Sequence, residues 1–412
     1  MTTSPAEATP TQSVSEQIAG LERQYLLQNY SRYPLVLKRG RGCWLYDYEG
    51  KRYLDLLSGI GVNSLGHAHP RITRVIRDQA GTLIHSSNLY YHEYQGKLAQ
   101  KLAEISGLQR SFFCNSGTEA MEGAIKMARS HGRKIAPEKI GLVSLDNSFH
   151  GRTMGALSIT GQPKYRAPFE PLLEGVTFVP RQDEEALEAA VNERTAGIFI
   201  ESIQGEGGIY PIGERFLRKA RELAGRHDAL LVFDEIQSGV GRPGTYFAYQ
   251  LNHPPVMPDI LAVAKPMACG LPLGALIMNE RAAASIAPGM HGTTFGGGAL
   301  ACRVAVEFFT ILGELLPQIR RVGEYFREGL RGLARKYPFV RDVRGEGLMI
   351  GVELEFPCKE AVGLAQAEGL LLNVTHDNVI RMLPPYIITE KEVDRALRGL
   401  AKVLRRLTPA PH

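Results

Sequence analysis

A regular alternation of apolar runs and amphipathic segments between Pro70 and Leu300 constrains the fold of this chain more than any other feature. Short apolar runs bounded by polar residues and glycines are typical of strands buried in a parallel sheet, and the segments between them have helical periodicity. This alternation predicts an α/β fold with a mainly parallel, seven-stranded sheet covered by helices. The predicted strands are Ser111–Cys114, Ile140–Leu145, Gly175–Val179, Gly197–Glu201, Leu230–Phe233, Ile260–Ala264 and Ala275–Met278. The predicted helices include Tyr94–Ile105, Glu119–His131, Glu184–Asn192 and Glu214–Ala224.

The flanking segments predict a second, smaller unit of α+β structure, as expected for a chain of 412 residues, which exceeds one average domain. We expect a disordered tail over 1–13, an N-terminal segment over 14–69 that joins the small domain, a large domain over 70–305 and a C-terminal small domain over 306–412. The elements predicted outside the large domain are helices Val14–Asn29, Ala301–Lys336 and Glu390–Leu407, strands Leu35–Lys38, Cys43–Asp47, Arg52–Asp55, Val340–Leu354, Leu370–Asn373 and Val379–Leu383, and a loop over Ser58–Pro70.

Composition argues against several classes of partner. The 48 basic and 43 acidic residues are spread along the chain without a dense basic block, which gives little support to nucleic-acid binding. The five cysteines are scattered, with neither a C-x-x-C pair nor a zinc spacing, which favours a reducing compartment and predicts no metal site. No apolar run approaches the length of a membrane span. We therefore expect a soluble, cytoplasmic protein.

The stretch Leu261–Ala275, LAVAKPMACGLPLGA, contains an apolar run that ends in Lys265. A lysine at the end of a buried strand can acquire a lowered pKa, become nucleophilic and form a Schiff base with an aldehyde. Taken alone, the run favours a lysine that simply extends into solvent. Upstream, however, a second apolar strand ends in Asp234 and Glu235, and ligands in open α/β sheets bind beyond such carboxyl ends. A carboxylate for a pyridine nitrogen and a lysine for an aldehyde carbon are what pyridoxal phosphate (PLP) requires.

Two further motifs follow predicted strands. FFCNSGTEAM places Gly117 and Thr118 at a helix start, where free backbone amides suit a phosphate, although an ordinary helix cap has the same sequence pattern. NSFHGRT offers Phe149 to stack on a flat ring and Arg152 to hold a carboxylate. A core aromatic and a surface arginine would explain this second motif equally well.

Charged and polar residues in two other stretches complete the candidates. Glu206 lies in a glycine-flanked loop, and Arg381 lies between apolar residues in VIRMLPP. An inward arginine needs a carboxylate from the protein or from a substrate, whereas a solvated surface charge needs none, and these motifs alone do not distinguish the two. Thr293 and Thr294 precede Gly296–Gly298 in a polar loop suited to another phosphate contact.

From about residue 20 to 405 the chain resembles the class III, or ω-type, aminotransferases of PLP fold type I, the aspartate aminotransferase-like fold. The resemblance is carried by SGTEA, FHGRT, QGEGG, FDEIQSGVGR, AKPMACGLPLGA, HGTTFGGG and VIRMLPP, which occur in the family's order. The branch that transaminates N2-acetyl-L-ornithine with 2-oxoglutarate in arginine biosynthesis is the most similar. A PLP-dependent enzyme of this kind is therefore the expected function.

The resemblance implies a role for each candidate in cofactor binding. Lys265 would carry PLP as a Schiff base, and Asp234 would pair with its ring nitrogen. The other implied cofactor contacts are Phe149 on the ring face, Gln237 on the ring hydroxyl, Gly117 and Thr118 on the phosphate, and Glu235 and Ile236 in the segment after Asp234. Thr294 would reach the phosphate of a neighbouring subunit, which implies a homodimer with shared sites.

For the substrates, the resemblance implies that Arg152 binds the α-carboxylate of the amino donor, with Thr293 nearby. Glu206 would mask Arg381 while an ω-amino donor is bound and release it for the carboxylate of 2-oxoglutarate or glutamate. The chain departs from the family pattern at PMACG, where GLGGG is more usual, and at Gly296–Ala301, where GGNPLA is more usual. Neither departure replaces a residue with an implied chemical role.

Other functions remain open on the sequence. 4-Aminobutyrate, free ornithine, succinylornithine and acetyl-lysine-type donors would use the same machinery, because side-chain size in a donor pocket discriminates by only a few kcal/mol. Ile60 disfavours free ornithine, since ornithine enzymes of this family have a tyrosine there. A PLP aminomutase is less favoured, because it does not need the switch formed by Glu206 and Arg381. A regulatory PLP-binding protein without turnover is disfavoured by the complete set Lys265, Asp234, Arg152 and Arg381.

Overall fold

The computed structural model describes residues 13–407. Of the tail predicted over 1–13, residues 1–12 lie outside the described residues, and Ser13 caps the first helix by accepting a hydrogen bond from the Glu16 N–H at 3.1 Å. That helix ends at Tyr25, earlier than predicted, because Leu26 adopts an extended conformation.

Within residues 13–407 the strands are β1 (Leu37–Arg41), β2 (Trp44–Asp47), β3 (Arg52–Asp55), β4 (Arg110–Cys114), β5 (Gly141–Leu145), β6 (Val176–Val179), β7 (Thr195–Glu201), β8 (Ile203–Gln204), β9 (Tyr210–Pro211), β10 (Leu230–Asp234), β11 (Ile260–Val263), β12 (Gly274–Met278), β13 (Val340–Glu346), β14 (Met349–Leu354), β15 (Leu370–Leu371), β16 (Asn373–Thr375) and β17 (Val379–Met382). The helices are α1 (Val14–Tyr25), α2 (Ser58–Gly61), α3 (Pro70–Ala80), α4 (Glu93–Ser106), α5 (Gly117–Ile135), α6 (Met154–Ser158), α7 (Pro163–Arg166), α8 (Glu184–Ala190), α9 (Glu214–Arg226), α10 (Glu280–Ala283), α11 (Ala299–Ala334), α12 (Ala361–Ala367) and α13 (Glu390–Arg406), with 3₁₀ turns at Ala167–Phe169 and Ala248–Leu251.

The central sheet has seven strands in the order β4-β12-β11-β10-β7-β5-β6. Neighbouring strands from β11 to β6 are parallel, and only β12 runs antiparallel to its two neighbours. Every residue of β7 and of β10 is buried, which explains why these strands are continuous apolar runs rather than alternating ones. The predicted α/β fold is confirmed, and each predicted strand of this sheet is present to within two residues.

A second sheet, β13-β14-β17-β16, is antiparallel throughout. A third sheet joins distant parts of the chain, because β15 pairs in parallel with β3 and so connects the C-terminal part to the N-terminal segment. This pairing supports the domain division predicted over 14–69 and 306–412, which stays a prediction. The long helix α11 begins before residue 305 and continues beyond it, so it crosses the predicted domain boundary.

Two expectations about local structure were wrong, and one helix was missed. The single strand predicted over Val340–Leu354 is a hairpin, β13 and β14, which turns at Gly347 with a φ of +54°. The strand predicted over Leu370–Asn373 is divided between β15 and β16, which belong to different sheets. Helix α3 was not predicted, although Pro70 at its first turn and the buried Ile72 and Val75 on one face are ordinary helix signals.

Within residues 13–407, no helix is both long and apolar enough to cross a membrane. In the same range, no group of three or more His, Cys, Asp or Glu side chains is arranged to hold a metal ion.

Candidate active site

The carboxyl ends of the three central strands bring acidic and basic side chains together. Asp234 is the last residue of β10, and its register partner on β7 is Glu201, also the last residue of its strand. Lys265 follows two residues after the end of β11, the other neighbour of β10. Parallel strands end at one edge of the sheet, so these residues from distant sequence positions form one site.

The Lys265 amine lies in a largely dry environment. Burial lowers its pKa, and Arg381 lowers it further, while the carboxylates of Glu206, Asp234 and Glu201 act in the opposite direction. Because burial is the largest of these effects, the neutral and nucleophilic form of the amine is favoured more than on an exposed lysine. This is the property that the sequence predicted for Lys265.

A histidine fixes the orientation of Asp234. The Asp234 side chain is 4% exposed, and its Oδ2 lies 2.7 Å from His150 Nδ1, while its Oδ1 accepts the Ile236 N–H at 3.0 Å. The other ring nitrogen of His150 is buried without a hydrogen-bond partner among the described residues. His150 lies within NSFHGRT, where the sequence pattern predicted no role for it; its position in the turn after β5 was the available signal.

Glu201 is a second residue that sequence reasoning missed. Its carboxylate accepts the N–H of Phe149 at 2.9 Å and the N–H of Gly205 at 3.1 Å. Burial raises the pKa of Glu201 to about 7, with Asp234 adding to the rise and His150 opposing it. Glu201 therefore connects the turn that carries Phe149 to the loop that carries Glu206, and its place at the end of an apolar strand was the signal for it.

Arg381 meets a carboxylate of the protein, that of Glu206. Arg381 is 1% exposed, and its Nη1 pairs with Glu206 Oε1 and also donates to Gln237 Oε1 at 3.2 Å, while its Nε donates to Asn373 Oδ1 at 3.1 Å. Burial alone would raise the pKa of Glu206, but Arg381 and Lys265 reverse this and hold it below its usual range. Gln237 Nε2 contacts Glu206 Oε1 at 3.4 Å, so the Gln237 amide belongs to this polar group.

The N-terminus of α5 begins at Gly117, after the cap Ser116. A Cβ at Gly117 would lie 2.7 Å from two carbons of Ile236, so glycine is required for this close approach. Thr118 Oγ1 lies 2.9 Å from Thr153 Oγ1 and accepts the Arg152 N–H at 3.3 Å. The first amides of a helix have no intrahelical partner, and together with the Thr118 hydroxyl they form a site suited to an anion.

Phe149 and Arg152 lie side by side next to an aromatic residue that the sequence analysis did not mention, Tyr165. The ring of Phe149 is 6.0 Å from that of Tyr165 in an edge-on arrangement, and the Arg152 guanidinium lies 4.1 Å from the Tyr165 ring centroid. Arg152 is exposed and makes no ion pair with a carboxylate of the described residues. It is thus a cation that is free to bind a carboxylate from solution.

Glu235 does not join this group. Its buried carboxylate accepts the N–H groups of Ala248 and Tyr249 at 2.5 and 2.7 Å and the Ser202 hydroxyl at 3.0 Å, and burial raises its pKa to about 7. Both oxygens are engaged within the protein, and the expectation that Glu235 contributes to the cofactor site stays a prediction. Consecutive residues at a strand end project to opposite sides, and Asp234 takes the side of the site.

Thr293 and Thr294 lie in a turn beside the end of β4. Thr293 Oγ1 accepts hydrogen bonds from Asn115 Nδ2 at 3.2 Å and from the Gly296 N–H at 3.3 Å, whereas the side chain of Thr294 is exposed. No hydrogen bond joins Thr293 to Arg152 among the described residues.

The groups assembled here match the chemical requirements of PLP. Lys265 supplies an amine with a lowered pKa, and Asp234 supplies a carboxylate fixed in orientation by His150. Phe149 supplies a partly exposed aromatic face, and the start of α5 supplies amides for a phosphate. The residues present therefore fit the cofactor.

Comparisons with known proteins agree with this geometry. The family model described as aminotransferase class-III matches residues 25–404. An acetylornithine aminotransferase of Methanocaldococcus jannaschii is 46% identical over 94% of this chain and 98% of its own length. A second acetylornithine aminotransferase, from Aquifex aeolicus, is 46% identical over 92% of this chain and 100% of its own length.

Solved structures show the same overall fold. The ornithine aminotransferase of Toxoplasma gondii has a TM-score of 0.91 at 33% identity and covers 96% of both chains. The acetylornithine aminotransferase of Elizabethkingia anophelis has a TM-score of 0.85 at 30% identity and covers 96% of this chain and 100% of its own. Another structure of the Toxoplasma gondii enzyme has partial occupancy of PLP at its active site.

Proposed function

Because the chain belongs to the class-III aminotransferases, we propose that it transfers the ω-amino group of N2-acetyl-L-ornithine to 2-oxoglutarate. The products are N-acetyl-L-glutamate 5-semialdehyde and L-glutamate, and the cofactor is PLP. The observation that carries the proposal is the Glu206–Arg381 ion pair beside Lys265. One pocket must accept an ω-amino donor and a dicarboxylate in turn, and a buried arginine with a displaceable carboxylate partner suits both.

Lys265 and Asp234 have different roles in the proposed reaction. PLP, when bound, supplies an electron-withdrawing ring that stabilises negative charge at the substrate carbon. Lys265 would hold the cofactor through its aldehyde carbon, and its Nζ amine would move a proton as general base and then as general acid. Asp234, oriented by His150, keeps the proton on the ring nitrogen.

The remaining cofactor contacts position the ring. Phe149 stacks on one face, Ile236 lies against the start of α5, and Gly117 and Thr118 hold the phosphate. Gln237 would bind the ring hydroxyl after it leaves its contacts with Glu206 and Arg381.

The two arginines bind carboxylates at different stages of the reaction. Arg152, exposed and free of an ion pair with the described residues, takes the α-carboxylate of the donor. Arg381 stays masked by Glu206 during that half-reaction. In the second half-reaction Glu206 turns away, and Arg381 takes a carboxylate of 2-oxoglutarate.

A homodimer with shared active sites is part of this proposal, with Thr294 reaching the partner's cofactor phosphate and Thr293 near the donor. Thr294 is exposed within one chain, and Phe295 next to it is 70% exposed. Leu89, Tyr90 and Tyr91 are also strongly exposed, and they follow Asn88, which contacts the same turn; exposed apolar residues of this kind suit burial by a second copy. The five free cysteines support the expected cytoplasmic location.

Free ornithine is the second candidate donor, because the ornithine aminotransferase of Toxoplasma gondii has a very similar fold. The fold does not select the donor, which differs from acetylornithine by one acetyl group. Ile60 is the position where ornithine enzymes have a tyrosine, and this favours the acetylated donor. The formed Glu206–Arg381 pair favours an aminotransferase over an aminomutase, which exchanges no dicarboxylate.

A spectroscopic titration tests the proposal. The purified protein is expected to have an absorption band near roughly 420 nm from lysine-bound PLP, which N-acetylornithine abolishes and 2-oxoglutarate restores. Faster loss of the band with ornithine or 4-aminobutyrate would replace the proposed donor and keep the mechanism. Lys265→Ala is expected to abolish the band, whereas Lys219→Ala, which removes a lysine paired with Glu188 outside the site, is expected to keep it. A band that survives Lys265→Ala would refute the assignment.

A further inference from the structure

Glu206 lies at the tip of a short hairpin. Strand β8 pairs with β9, with Ile203 opposite Pro211 and Gln204 opposite Tyr210, and residues 205–209 form the tip. The large sheet holds one end of the tip, because the carboxylate of Glu201 accepts the Gly205 N–H.

Two side chains of the small antiparallel sheet hold the backbone from Glu206 to Ile209. Thr375, the last residue of β16, donates its hydroxyl to the Glu206 carbonyl at 2.7 Å. Arg344 of β13 donates from Nη2 and Nε to the Gly208 carbonyl at 2.7 and 2.9 Å, and its Nε also contacts the Ile209 carbonyl at 3.1 Å. The tip is therefore bonded at the carbonyls of Glu206, Gly208 and Ile209 to the sheet that carries Arg381.

Arg344 is itself held rigidly. Its Nη1 pairs with Glu353 Oε2 at 2.5 Å and with Asp342 Oδ2 at 3.1 Å, and its guanidinium lies 3.6 Å from the centroid of the Tyr210 ring. The Tyr210 hydroxyl donates to the same Glu353 oxygen at 2.7 Å. A guanidinium held by a ring on one face and by two carboxylates at Nη1 presents its remaining N–H groups in one direction.

The tip is also seated by packing. Ile209 is fully buried with a φ of +58°, a costly conformation for a β-branched residue that persists only where the surroundings enforce it. A Cβ at Gly351 of β14 would lie 2.9 Å from Ile209 Cβ, so this glycine provides the space. Gly351 is the register partner of Arg381 on β17, so the tip packs directly behind the arginine that Glu206 masks.

From these contacts we propose that Thr375 and Arg344 are positioning residues for the exchange between the two substrates, an inference that rests on the proposed function. They hold the backbone of Glu206 at a fixed distance from Arg381, so that masking and unmasking need only rotation of the Glu206 side chain. Without these bonds the tip can adopt more conformations. Formation of the masked Glu206–Arg381 pair then costs more conformational entropy. The consequence is a specific loss of the half-reaction that needs Arg381 masked.

The test measures the two half-reactions separately through the absorbance of the bound cofactor. Thr375→Val removes the hydroxyl and keeps the shape. We expect the second-order rate constant for the reaction with N-acetylornithine to fall about fivefold relative to the one for the reaction with glutamate. This is the size expected for one lost hydrogen bond. Thr375→Ser is expected to restore the ratio. Thr245→Val is the matched control, since it also removes a threonine–carbonyl bond of 2.7 Å, but within a turn that does not touch the Glu206 loop.

Arg344→Lys is the second variant, because it keeps a positive charge near Glu353 but lacks the planar fork that bonds the carboxylates and the loop carbonyls from different nitrogens. It is expected to shift the same ratio in the same direction. An unchanged ratio in both variants, or an equal fall of both half-reactions, would overturn the inference and leave the proposed function intact. A wild-type enzyme that does not react with glutamate at all would instead refute the proposed function itself.

Discussion

Asp234 shows how a single buried carboxylate is prepared for its role. Each oxygen has one hydrogen-bond partner, His150 Nδ1 or the Ile236 N–H, and the side chain is almost completely excluded from water. A buried carboxylate that loses a partner retains the desolvation cost without the compensating bond. The geometry of Asp234 toward a ring nitrogen therefore depends on His150.

His150→Phe removes this bond and keeps an aromatic ring of similar size. We expect turnover to fall by about tenfold or more, as for loss of a hydrogen bond to a charged group, and the cofactor absorption band to shift. Steady-state kinetics and the absorbance spectrum measure the two effects. His131→Phe is the matched control, because it removes another histidine–aspartate pair, with Asp228, outside the site. Full turnover in His150→Phe would show that Asp234 needs no such support.

At the scale of secondary-structure elements, the start of helix α5 and the segment after β10 are fitted to each other. Gly117 leaves no space for a methyl group beside Ile236, so the helix N-terminus and the end of the central strand approach closely. This approach places the amides suited to a phosphate next to Asp234, which suits a ring and its phosphate on one cofactor.

Gly117→Ala introduces a Cβ at 2.7 Å from Ile236, and we expect the helix start to shift and PLP affinity to fall about tenfold, in line with the cost of overpacking. Titration of the cofactor-free enzyme with PLP, followed by absorbance, measures the change. Gly225→Ala in α9 is the control, since a Cβ there meets nothing within 4 Å. Equal affinities for PLP in both variants would contradict a phosphate site at this helix.

The elements also show what the sequence could predict. The strands of the central sheet are short, continuous apolar runs, so their ends, and with them Asp234 and Lys265, are visible locally. The direction of the Glu235 side chain is not visible in the local sequence, because its partners Ala248 and Tyr249 lie in a turn that comes close only in the tertiary fold. The contacts of His150 depend in the same way on pairing of distant strands.

Small elements were harder to predict for a related reason. Strands β15 and β16 are separated by one residue and belong to different sheets, and no local pattern distinguishes them from one strand. The hairpin of β8 and β9 has two residues in each strand, too short for a periodic signal, yet it carries Glu206. Hydrogen bonds from the Thr375 and Arg344 side chains of the small sheet add to the few backbone bonds between β8 and β9.

At the scale of the whole molecule, one surface brings together exposed apolar residues and a candidate cofactor contact. Asn88 Nδ2 donates to the carbonyls of Thr293 and Gly296, so the segment before Leu89 lies against the turn that carries Thr294. Phe295, in the same turn, is 70% exposed. A single copy thus leaves this apolar surface in water, and a second copy would bury it.

Phe295→Lys places a charge in the centre of this surface. We expect the dimer to dissociate, measured by sedimentation velocity, and PLP affinity to fall with it, because Thr294 of one subunit then no longer reaches the partner's phosphate. Tyr325→Lys is the control: Tyr325 is another exposed aromatic residue, located on α11 beside Asp394, and a lysine there gains an opposite charge. A Phe295→Lys protein that stays dimeric and binds PLP as tightly as the control would contradict both the surface and the role of Thr294. Dissociation with unchanged PLP affinity would keep the surface and remove Thr294 from the cofactor site.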